Sequence, residues 1–236
     1  MKSKPSATNQ SQNDECRMQN EGSPILHSAF IILTLLFLPG CGAMRGLGEM
    51  MTGNTAEANA LKMENLNNPD DRRDGMIFLV DHPYGTKAPY TTRYAQIAKG
   101  DSDPIVRATA IRSLNRSRDK TATPVFINAL KDASPLVRLE AAKALYRLPD
   151  PAATEQLRVM VSANEETKDV RIAAAEALQH YRRLDVARTL IAQLNQRDFG
   201  IAWQCRRTLK RLTGKDLNYD EAAWLNFITG PTKPLG

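Results

Sequence analysis

Four stretches decide how this chain is read: VRATAIRSL (Val106 to Leu114), VRLEAAKAL (Val137 to Leu145), VRIAAAEAL (Val170 to Leu178) and IAWQCRRTL (Ile201 to Leu209). They align without a gap, and their starts lie 31, 33 and 31 residues apart. A weaker copy, RRDGMIFLV, precedes them, with Arg73 standing 34 residues before Arg107. A fixed period of this size marks a repeat architecture, in which each unit buries its apolar face against its neighbours.

Within a copy the apolar residues take the first, fifth, sixth and ninth places, as in Val137, Ala141, Ala142 and Leu145, which is one face of a helix. The segments between copies carry a second amphipathic helix: Val125, Phe126, Ala129 and Leu130, then Ala153, Leu157, Met160 and Val161, then Val186, Ala187, Leu190, Ile191 and Leu194. Each unit is thus helix, turn, helix. Asp103-Pro104, Ser134-Pro135 and Asp150-Pro151 put a capping side chain before a proline suited to the first helical turn. No strand-like alternation of useful length is present, so the class is all-α.

On these residues the chain resembles HEAT repeats, of the short type also called phycocyanobilin-lyase HEAT-like repeats, over residues 70–229. The resemblance implies a right-handed α-α superhelix of about five helical pairs, counting atypical caps. It also implies a ladder between neighbouring units, made by an acidic residue in each turn and an arginine six positions later. The matching pairs are Asp101 with Arg107, Asp132 with Arg138, and Glu165 with Arg171; the outer copies break the pattern, with Asn67 before Arg73 and Gln196 before Ala202. Gly214, Asp220, Trp224 and Phe227 are expected to build a C-terminal cap, and residues 81–94 an irregular N-terminal one.

The repeats leave residues 1–69 unexplained. A polar, charge-balanced opening is followed by Ile25 to Leu38, whose uninterrupted apolar part runs only from Ala29. That is too short to span a bilayer as a helix but suits the apolar region of a signal peptide. Leu38-Pro39-Gly40-Cys41 then resembles the lipobox of bacterial lipoproteins, which implies cleavage after Gly40 and a lipid on the Cys41 thiol. The long n-region without excess positive charge departs from that pattern, and Met18 offers an alternative start. Several acyl chains would hold the protein on a membrane. Gly42 in place of Asp favours the outer membrane over the inner. Residues 1–40 are thus expected to be a leader, 41–69 a tether and 230–236 a tail.

Composition agrees with a globular body. Of 236 residues 42% are hydrophobic, 6% aromatic and 25% charged, which excludes collagen-like and low-complexity classes. Three cysteines exclude a disulfide scaffold: Cys16 lies in the leader, Cys41 carries the lipid, and Cys205 is left alone. Leader charges cancel, so the net +6 belongs to residues 41–236.

Catalytic constellations are not found. His27 lies in the leader, His82 and His180 fall in different units, and none precedes a glutamate. The His-Glu pairs of the iron-dependent hydroxylases built on HEAT-like repeats are therefore missing, and no metal or cofactor is expected. Gly214-Lys215 lacks the upstream glycine and the following hydroxyl residue of a phosphate loop. Cys205 shares its column with Ala110, Ala141 and Ala174, which marks it as a packing residue.

One basic set remains. Seventh places of the second helices hold Arg112, Lys143, Glu176 and Arg207, and eleventh places hold Arg116, Arg147, His180 and Arg211. Four residues apart, the columns share a face, and the family resemblance places that face on the concave side. Six bases along one groove would attract an acidic partner, although a solvated polar face is the slightly simpler account of them. Interleaved aromatics are lacking, so nucleic acid is not expected. The resulting expectation is a lipid-anchored, envelope-located, non-enzymatic scaffold for an acidic protein partner. The alternatives are a bilin-lyase-like enzyme or cofactor chaperone, and a non-exported cytoplasmic scaffold.

Overall fold

The computed structural model describes residues 54–231 and 235. The leader, Cys16, Cys41, the start of the tether and most of the tail lie outside the described residues. Eleven α-helices and no strand make up the described body. They pair in chain order: α1 (Ala56–Met63) with α2 (Pro69–Val80), α3 (Tyr90–Gly100) with α4 (Pro104–Ser117), and α5 (Thr123–Ala129) with α6 (Pro135–Arg147). The last two pairs are α7 (Thr154–Ser162) with α8 (Lys168–Ala177), and α9 (Leu184–Ile191) with α10 (Phe199–Thr213). The second helices, α2, α4, α6, α8 and α10, pack in sequence as one layer. The first helices form the other, with α3 against α5 and α7 against α9, and α11 (Glu221–Thr229) packs on α9. The body is an all-helical, HEAT-like solenoid.

The apolar columns explain the stacking. First-place Val106, Val137, Val170 and Ile201 are buried, as are ninth-place Leu114, Leu145, Leu178 and Leu209. Fifth-place Ala110, Ala141, Ala174 and Cys205 are fully buried, so small side chains let the helices approach closely. The first pair uses a glycine there. A Cβ on Gly75 would sit 2.4 Å from the Asn59 carbonyl oxygen, which shows how close α1 lies against α2.

The solenoid therefore begins at Ala56 rather than at residue 70. Sequence assigns 56–69 to a tether because α1 is short and polar on most of its surface. Thr55 nevertheless caps it, accepting from the Ala58 amide, and Met63 is buried beneath it. Residues 81–89 consequently join the first pair to the second, residues 90–94 open α3, and neither forms an N-terminal cap.

Caps elsewhere follow side-chain chemistry. Asp103 accepts from the Ile105 and Val106 amides, while Asp150 accepts from Ala152 at the start of a 3-10 turn. Ser134 makes no side-chain cap bond; its own amide donates to Asp132 instead. Gly214 ends α10 at φ 75°, a left-handed conformation suited to glycine. Asp220 then caps α11, whose Trp224 is fully buried and donates its indole N–H to the Asn218 carbonyl. No described helix is long and apolar enough to cross a membrane.

Candidate functional site

The repeated arginines act between units. Arg107 donates from Nε and Nη2 to the Asp132 carboxylate at 2.9 and 2.8 Å, and from Nη1 to the Asp101 carbonyl at 2.8 Å. Arg72, Arg107 and Arg138 each hold the turn of their own unit through backbone and reach the acid of the next unit through charge. Burial pushes the Asp132 carboxyl up, but the Arg107 guanidinium and the Ser134 amide outweigh it and hold the group below its ordinary value.

Three sequence assignments on this ladder need correction. Arg138 reaches Glu166 and not Glu165, because Glu166 lies at the turn where α8 begins and also accepts the Thr167 amide. In the first pair Arg72, not Arg73, makes the rung, donating to Asp101 at 2.8 and 2.9 Å; Arg73 pairs locally with Asp70. The frame of that copy is therefore one residue earlier, with Asp71 in first place. Arg171 has no carboxylate partner among the described residues. It is 5% exposed and donates to the Gln193 side-chain oxygen at 2.9 Å and the Val161 carbonyl at 3.0 Å.

The basic columns also change meaning. Arg112 on α4 pairs with Glu140 on α6, and Lys143 joins the same carboxylate at 3.1 Å. Burial raises Glu140, yet the two bases together hold it below its usual value. Arg116 pairs with Asp81 and Arg207 lies 4.0 Å from Glu176, while Arg211 donates to Gln179. Arg147 is exposed and has no partner among the described residues. The face is a second, outer set of links between units, carrying six bases against three carboxylates. Glu176 already stands in the seventh-place column, whereas Asp81 and Glu140 lie outside both columns and meet Arg116 and Arg112 from neighbouring units.

Aromatic side chains do enter this face at its C-terminal end. Trp203 is 45% exposed with the Arg207 guanidinium 5.3 Å from its ring centroid, and Phe199 is 68% exposed one turn earlier. Arg206 lies 5.1 Å from the Tyr219 ring centroid and is held by Asp216 at 2.9 and 3.0 Å. A shallow open cleft runs among Trp203, Arg206, Arg207, Lys210 and Asp216. Sequence reading missed it because Trp203 stands in the third place of the copy, between the buried columns and the basic ones.

Cys205 is fully buried, and burial pushes its thiol up to about 12. No group of three or more metal-ligating side chains occurs among the described residues.

HEAT repeats match residues 92–166, less than half of the chain. No curated protein matches it. Among solved structures, human deoxyhypusine hydroxylase in complex with glycerol is similar at 17% identity, covering 82% of this chain and 92% of that one, with a TM-score of 0.46. Residues 92–166 thus match HEAT repeats and lie within a described body that is an all-helical, HEAT-like solenoid of five pairs.

Proposed function

We propose that this protein is a non-enzymatic scaffold of the bacterial cell envelope, tethered by a lipid on Cys41, that binds an acidic protein partner along its second-helix face. The observation that carries the partner reading is the exposed row from Arg112 to Arg211, whose six bases exceed the carboxylates paired with them by three. Paired bases such as Arg112 and Lys143 fix the units to one another. Arg147, exposed and unpaired, and Arg211, bonded to a neutral amide, supply charge to a partner. The anchor reading rests on the Leu38-to-Cys41 sequence alone, and confinement to a membrane raises the effective concentration of any partner there.

Crosslinking capture from membranes tests the surface. Arg147→Glu with Arg211→Glu leaves every buried carboxylate paired, so helicity should hold while the captured partner is lost at low salt. Capture undiminished by the double variant overturns the surface reading. Fatty-acid labelling tests the anchor separately: label on the wild type and none on Cys41→Ser is expected, and an unlabelled wild type removes the anchor.

A further inference from the structure

The two ends of the second-helix layer are complementary. Inside the solenoid the sixth place of each second helix faces the following one, as the bond from the Thr208 hydroxyl on α10 to the Ala175 carbonyl on α8 shows. Met76, Ile111, Ala142 and Ala175 occupy that place and are fully buried. On α10, with no helix after it, the place holds Arg206. Fourth places face the preceding helix: Thr109, Glu140, Ala173 and Gln204 are buried there, and Glu140 receives seventh-place Arg112. On α2, the first second helix among the described residues, the fourth place holds Asp74, exposed and without an ion-pair partner among those residues.

Each end adds apolar surface to its charge. Beside Asp70 and Asp74, Ile77 on α2 is 46% exposed, and Leu66 in the turn before α2 is also exposed. Beside Arg206, Arg207 and Lys210 stand the exposed Phe199 and Trp203. Terminal units of a solenoid usually present polar outer faces that end the stack. Asp216 and Tyr219 do this over the Arg206 half of α10, where the Tyr219 ring also lies 6.0 Å from that of Phe199, and they leave Trp203, Arg207 and the outer side of Phe199 exposed.

We infer that the open half of α10 binds the α2 face of a second copy of this chain, head to tail, with Arg207 meeting Asp74 as Arg112 meets Glu140 within the chain. Trp203 and Phe199 pack against Ile77 of the second copy. The contact is heterologous, so each added copy leaves the same two ends free. It repeats an interface that the solenoid already makes between its own units, and it does not depend on the acidic partner proposed above.

Sedimentation of the full chain in mild detergent at about 50 mM salt, where screening is weak, tests it. The wild type should associate with rising concentration, and about 500 mM salt should reverse this. Arg207→Glu and Asp74→Arg should each weaken association about tenfold or more, with unchanged helicity. Mixed in equal amounts, the two variants should associate again, because each supplies the charge that the other now lacks. A wild type that stays monomeric, single variants that associate like the wild type, or a mixture that stays apart overturns the inference. So does a monomeric chain whose Trp203 emission shifts only on phosphatidylglycerol vesicles or on a glutamate-rich peptide.

Discussion

Arg138 passes over Glu165 to bind its neighbour Glu166, with Nε and Nη2 at 2.6 and 2.8 Å from the carboxylate oxygens and Nη1 on the Asp132 and Ala133 carbonyls. Glu166 is nearly buried at this contact and Arg138 only a fifth exposed. Glu166→Gln should therefore cost about 1–3 kcal/mol by leaving the guanidinium with a neutral acceptor. Glu165→Gln should stay within about 0.5 kcal/mol, as for a surface change. Urea denaturation of the two variants checks the contrast, and equal effects would remove Glu166 from the ladder.

Arg171 offers the reverse experiment. Its charge is buried against Gln193, which also accepts from the Gln196 amide at 2.9 Å. Gln193→Glu keeps the shape and both acceptor bonds while adding the missing charge. Thermal melts should show a gain of about 1–2 kcal/mol, the difference between neutral and charge-assisted bonds. A loss of stability would mean that the buried carboxylate is not compensated by Arg171.

Acid should weaken the ladder in a defined window. Asp132, Glu140 and Glu166 are all held below their ordinary values by arginine partners, against the opposing effect of burial. A carboxyl lowered in the folded state adds stability above its unfolded value, about pH 4, and loses it as pH falls through the folded one. Melting temperature should stay level from about pH 7 to 5 and fall below about 4. In Asp132→Asn the fall should be shallower, which circular dichroism at stepped pH would reveal.

Cys205 should behave as an alanine-column residue with no nucleophilic role. In a Cys16→Ser, Cys41→Ser background, a disulfide reagent at neutral pH should label it only after urea unfolding, since burial pushes the thiol up to about 12. Cys205→Ala should fold, and Cys205→Leu should lose about 1–3 kcal/mol by overfilling the site. Rapid labelling of the folded chain would contradict the burial.

The repeats were legible because close packing forces the same size class into the same place, unit after unit: Val106, Val137, Val170 and Ile201 show it directly. Pairing was legible only where turn length stays constant. Arg107 and Asp132 keep the expected turn, whereas the stretch before α8 is built differently, so that Glu166 replaces Glu165 and Arg171 reaches back to Val161. Arg72 was hidden because Asp71, in the first place, is only half-buried, with no unit before it among the described residues, and need not be apolar. On the candidate surface the bases were visible as columns. Of their partners only Glu176 stood in a column, since Arg112 finds Glu140 one unit away and Arg116 finds Asp81 in the unit before.

Every inner rung has a direction: Arg72 to Asp101, Arg107 to Asp132, Arg138 to Glu166, Arg171 to Gln193. The donor always precedes its acceptor in the chain. During synthesis, which delivers the N-terminus first, a unit leaves the ribosome with its guanidinium unanswered until the following turn emerges. Completion of each unit is thus timed by the arrival of its successor. The final second helix, with Ala202 where an arginine would stand, waits for nothing.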